Sequence, residues 1–98
     1  MSKEDPTLAS FHALVTGIVQ GVYFRAFVEN RAQALGLTGY VRNVTQSGAV
    51  EVEAEGDRTR LEQLIRYLRQ GPRAARVDNV DVQWGDYSGR FSGFDITR

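Results

Sequence analysis

The stretch Phe11-His12-Ala13-Leu14-Val15-Thr16-Gly17-Ile18-Val19-Gln20-Gly21-Val22-Tyr23-Phe24-Arg25-Ala26-Phe27-Val28-Glu29-Asn30-Arg31-Ala32-Gln33-Ala34-Leu35-Gly36 changes its hydrophobic period partway along. Up to Val19 it alternates. Phe11, Ala13, Val15 and Val19 fall on one face and His12, Leu14, Thr16 and Ile18 on the other, as in a half-buried strand. The alternation breaks at Gln20-Gly21. Beyond it, Phe24, Phe27, Val28, Ala32 and Leu35 recur at spacings of three and four, while Glu29, Asn30 and Gln33 point away and Gly36 supplies a C-terminal stop. The first unit is therefore a strand that feeds a helix through a short glycine-containing turn.

Working outward, residues 37–45 return to extended character, and Gln46-Ser47-Gly48 is turn chemistry that joins them to residues 49–55 as a hairpin. In the second arm Val50, Val52 and Ala54 alternate with Glu51, Glu53 and Glu55, which predicts one packed face and one acidic, wet face. Leu61, Leu64, Ile65 and Leu68 then mark a second amphipathic helix, stopped by Gly71-Pro72. Asp57 follows the strand directly, and Thr59 has capping-box spacing to Glu62, so either can cap this helix. Val77, Val80, Val82 and Trp84 indicate a further strand, and Phe91 with residues 94–96 a short final one. The order βαββαβ plus a short C-terminal strand predicts a ferredoxin-like α+β sandwich, an antiparallel sheet with two helices on one face.

Ninety-eight residues suffice for one compact domain. Residues 1–9, with Lys3, Glu4, Asp5 and Pro6 and no apolar period, read as a flexible lead-in, which leaves 10–98 as a single domain. Twelve basic residues balance twelve acidic ones, so no global field is available to hold a polyanion. No nucleic-acid partner is expected, because the Glu51, Glu53 and Glu55 row would repel phosphate where RNA-binding sheets of this topology stack bases. The absence of cysteine and the single histidine exclude thiolate nucleophiles, cysteine-bound metals and two-histidine metal sites. No apolar run is long enough to span a bilayer and no signal-peptide pattern opens the chain, so a cytoplasmic location is expected. His12 reads as a solvated or hydrogen-bonded sheet residue. The six arginines from Arg58 to Arg76 read as a solvated face, with Glu62 and Arg66 at ion-pair spacing.

Chemistry concentrates where the first strand meets the first helix. A glycine-containing turn at a helix N-terminus exposes unpaired N–H groups at the positive end of the helix dipole, which suits a phosphate or carboxylate. Arg25 in the first turn opposes that dipole unless an anion satisfies both. Asn43, by alternation, shares the face of Leu37 and Val41, where an amide needs a polar partner. From the residues alone the turn also reads as a tight connection with a solvated arginine, and Asn43 as the residue that opens the hairpin.

Val19-Gln20-Gly21-Val22-Tyr23-Phe24-Arg25, followed by Gly39-Tyr40-Val41-Arg42-Asn43, a glycine turn, Val50-Glu51-Val52 and Gly71-Pro72 with Ala75-Arg76-Val77, resembles the acylphosphatase family. The likeness runs from about Phe11 to Arg98. It implies hydrolysis of the carboxyl–phosphate bond of small acyl phosphates, with no metal and no cofactor. It also implies that the backbone of Gln20, Gly21, Val22, Tyr23, Phe24 and Arg25 cradles the phosphate, that Arg25 is the catalytic cation and that Asn43 orients the attacking water. No role falls to the Tyr23 side chain. The chain departs from the family pattern in two places: Ile18 stands where a basic residue is usual, and the turn after Asn43 is one residue longer. A monomer is expected. A non-catalytic phosphate-binding regulatory domain of the same fold is the alternative.

Overall fold

The computed structural model describes residues 7–98, so residues 1–6 of the expected lead-in lie outside the described residues. The elements are β1 (Leu8–Ile18), α1 (Phe24–Ala34), β2 (Thr38–Val44), β3 (Ala49–Asp57), α2 (Arg58–Gln70), β4 (Arg76–Gly85) and β5 (Phe94–Ile96). β1 starts two residues before the expected domain boundary, because Leu8 and Ala9 pair with Asp57 and Gly56 of β3 and Ala9 is buried. The sheet order is β4-β1-β3-β2-β5. Its first four strands are antiparallel, as the α+β sandwich requires.

The alternation read from the sequence decides which face is covered. Phe11, Ala13 and Val15 of β1, Val41 of β2, Val50, Val52 and Ala54 of β3 and Val80 of β4 form one apolar layer. Phe24, Val28 and Ala32 of α1 and Leu61, Leu64, Ile65 and Leu68 of α2 pack onto it. Asp57, rather than Thr59, caps α2. It stays extended (φ −62°, ψ 128°) at the end of β3, and its carboxylate accepts from the Thr59 N–H.

Three features depart from the sequence reading. First, Glu55 is not on a wet face but 1% exposed. The connection 86–93 passes over it, and its carboxylate accepts from Ser88 N (3.0 Å), Ser88 Oγ (2.7 Å) and Gly89 N (2.9 Å). Burial pushes the Glu55 carboxyl up, yet these hydrogen bonds outweigh it and hold the group below the ordinary carboxylate value. Second, β5 joins β2 in parallel, so the sheet is mixed. β4 ends beside the start of β1, and the connection stays at that end, where Gly39 N donates to Gly93 O (2.9 Å). A strand leaving that end must run in the direction of β2. Phe91 belongs to this connection rather than to β5, with its ring against Tyr40. Third, Glu62 pairs with Arg58 rather than Arg66.

Candidate active site

Three chain segments reach the same end of the sheet: the exit of β1, the β2–β3 hairpin and the end of β5. β1 reaches it through a bulge, where the register with β4 slips between Thr16 and Gly17. Gly17 has φ +132°, and a side chain there would collide with the Arg76 carbonyl. Val19, before the turn, and Phe24, the first helical residue, are both buried, so the segment between them is anchored at both ends.

Residues 20–23 complete the connection to α1. Gly21 (φ +73°) and Tyr23 (φ +62°, ψ 21°) are left-handed, and Tyr23 is the one non-glycine residue with positive φ among the described residues. Alternating handedness turns successive N–H groups toward a common concavity, an arrangement suited to anions. No side chain caps α1, and no acidic residue lies in its first turn. Among the described residues, no acceptor takes the N–H groups of Gly21, Val22, Tyr23, Phe24 or Arg25; the first bond into the helix is Phe27 N to Tyr23 O (3.0 Å). Arg25 is half-buried and, among the described residues, makes no ion pair or hydrogen bond. A cleft of about 370 Å³ opens here, lined by Val19, Gly21, Tyr23, Phe24, Arg25, Ala26 and Ile96.

The Gln20 side chain has a role that the sequence did not reveal. Its amide donates to Ala49 O (2.8 Å) and Val44 O (3.3 Å), clamping the turn to both strands of the hairpin. Gln20 can therefore serve an anion only through its backbone. Asn43 is one residue from this clamp. It pairs with Val50, which pairs on its other side with Val15, so the three lie in one row across the helix-covered face. The Asn43 Oδ1 is buried and lacks a hydrogen-bond partner among the described residues. A buried acceptor left unpaired costs about 1–3 kcal/mol, so Asn43 Oδ1 is suited to accept from a water or a ligand donor. The longer turn is absorbed within residues 45–48, where Ser47 N and Gly48 N both donate to Val44 O. The register through Asn43 is preserved.

On the opposite sheet face His12 Nε2 lies 2.6 Å from Glu51 Oε2, and Arg42 bonds the other Glu51 oxygen. His12 is thus a hydrogen-bonded sheet residue away from the cleft. Burial pushes the Glu51 carboxyl up, but the His12 and Arg42 hydrogen bonds and charges prevail and lower it. Ile96 forms part of the cleft wall without any local signal in the sequence, because only the crossover of residues 86–93 brings β5 there.

Comparison with known proteins agrees with this geometry. The family model described as Acylphosphatase matches residues 11–96. An acylphosphatase of Pelotomaculum thermopropionicum is 54% identical over 88 residues, 90% of this chain and 95% of that protein. The crystal structure of acylphosphatase from Bacillus subtilis superposes with a TM-score of 0.87 at 29% identity, covering 94% of this chain and 100% of the other. An acylphosphatase structure from Coxiella burnetii gives 0.86 at 37% identity, covering 92% and 93%. With its family model spanning nearly the whole fold and its relatives matching end to end, the chain belongs to the acylphosphatase family of hydrolases.

Proposed function

We propose that acyl phosphate hydrolysis takes place at the β1–α1 turn, with the phosphate held by the N–H groups of residues 20–25 and by Arg25, and with the attacking water oriented by Asn43. The observation that carries this reading is the α1 N-terminus: a row of N–H groups unpaired among the described residues, two left-handed residues and a cation that opposes the helix dipole. A phosphate dianion satisfies all of these at once.

The chemistry asks for little else. The leaving group is a carboxylate whose conjugate acid has a pKa of about 4, so it departs without a general acid. The water oxygen attacks phosphorus in line, the bond from phosphorus to the acyl oxygen breaks with its electron pair going to the carboxylate, and the water proton passes to a phosphate oxygen. Asn43 Oδ1 accepts one hydrogen of the water and fixes its approach, while Arg25 and the turn neutralise charge on the phosphoryl oxygens. The unit works as a monomer in the cytoplasm on small acyl phosphates. Its balanced charge and the absence, among the described residues, of any helix long and apolar enough to cross a membrane support that setting.

The test is hydrolysis of acetyl phosphate by the purified chain in excess chelator, beside Arg25→Ala and a phosphate monoester. Turnover that survives chelation, is lost in the variant and spares the monoester is the expected result. A folded protein that binds inorganic phosphate but turns over no acyl phosphate would overturn it in favour of the phosphate-binding regulatory reading.

A further inference from the structure

We infer that Tyr23 is a specificity-determining residue whose ring contacts the acyl part of the substrate and favours apolar, above all aromatic, acyl phosphates. This inference rests on the phosphate site proposed above. Tyr23 is 85% exposed, the most exposed of the large hydrophobic residues, yet it borders the cleft. It also occupies a left-handed backbone position that glycine or asparagine fills at lower cost. A bulky ring held in a strained conformation without burying itself gains nothing for the fold. Its nearest use is on the cleft it borders.

The chemistry of the wall agrees. Of the residues lining the cleft, Arg25 alone is charged, and the phosphate consumes that charge. What remains for the acyl group is Tyr23, Ile96 (39% exposed), Val19 and Ala26, with no second cation among the described lining residues to receive a carboxylate carried on the acyl chain. In-line attack fixes which way the acyl group leaves. Water oriented by Asn43 attacks phosphorus opposite the leaving oxygen, so the acyl group lies on the far side of phosphorus from Asn43. The carboxyl carbon is two bonds from phosphorus, so its substituent stays within reach of the residues that border the cleft, Tyr23 among them. Offset or edge-to-face contact between that ring and an aromatic acyl group is worth about a tenfold preference.

The experiment compares kcat/KM for benzoyl phosphate and acetyl phosphate in the wild type, Tyr23→Gly and Tyr23→Phe. The quantity read is the benzoyl-to-acetyl ratio, in which any loss caused by loosening the turn cancels. The ratio is expected to fall about tenfold in Tyr23→Gly, which accepts the same backbone conformation without a ring, and to be kept in Tyr23→Phe. An unchanged ratio in Tyr23→Gly, with both substrates still hydrolysed, overturns the role of Tyr23 and leaves the phosphate site standing. An equal fall in Tyr23→Phe also overturns it, since the hydroxyl rather than the ring would then be responsible. A wild-type chain that hydrolyses neither substrate overturns the phosphate site and this inference together.

Discussion

The two helices begin in similar sequence surroundings and end up opposite in character. Each follows a strand of the same sheet, neither has an acidic residue in its first turn, and each has an arginine there: Arg25 in α1, Arg58 in α2. At α2 the cap and the leading arginine find partners within the chain. Asp57 caps the helix, the Arg58 N–H donates to Thr7 O (2.9 Å), and the Arg58 guanidinium lies 3.5 Å from Glu62 and 3.9 Å from the Trp84 ring centroid. At α1 the cap position holds a left-handed tyrosine with no side-chain acceptor, and Arg25 has no partner among the described residues. A left-handed non-glycine residue costs about 1–2 kcal/mol and a missing cap about 1 kcal/mol. Satisfied, a helix N-terminus is a structural joint; left open, it has the polarity that suits an anion.

Five substitutions can break or sharpen this contrast. The largest effect is expected from Arg25→Ala, which should lower kcat/KM for an acyl phosphate by about 10³-fold, whereas Arg58→Ala should leave turnover within about twofold. Comparable losses from the two arginines would erase the distinction. Next, Asn43→Ala should reduce kcat by about 10²-fold while inhibition by inorganic phosphate stays within about twofold, the signature of an interaction made in the transition state. Parallel weakening of phosphate binding would assign Asn43 to the cradle instead.

Stability should respond on the other side of the comparison. Glu55→Gln puts an amide donor among the Ser88 and Gly89 donors and should cost about 1–3 kcal/mol in urea unfolding at neutral pH. Because folding lowers the Glu55 carboxyl below its ordinary value of 4.5, its contribution is complete above that value and is lost as pH falls through the folded value. Wild type and variant should therefore converge in acid; a constant difference down to strongly acidic pH would mean that ionisation of Glu55 is not what stabilises the connection. The smallest effect is expected at the α2 cap. Asp57→Ala should cost about 1 kcal/mol, read as a shift in urea midpoint, with unchanged turnover. A fall in turnover would show that the two helix ends are coupled.

Much of the fold was legible because local periodicity carries it. Phe11, Ala13 and Val15 alternate, and Leu61, Leu64, Ile65 and Leu68 recur at helical spacing, since each element must present one apolar side whatever covers it. The turn proposed to bind an anion stood out for a related reason: an arginine in a first turn beside glycine is a local contradiction, visible without a partner. The capping of α2 was not, because Asp57 and Thr59 differ only in where β3 ends, and pairing with β1 through Leu8 and Asp57 settles that.

What the sequence by itself determined, then, is the order of elements, the face each buries and the turn where charge and helix polarity conflict. These follow from interactions among residues a few positions apart. Tertiary structure alone decided the rest: that Glu55 lies beneath residues 86–93, that β5 runs parallel to β2, that Gln20 clamps the hairpin and that Ile96 closes one side of the cleft. Each of these joins residues at least 24 positions apart in the chain, well beyond the reach of any local period. A period shows which side of a strand faces outward; only the assembled chain shows what lies against it.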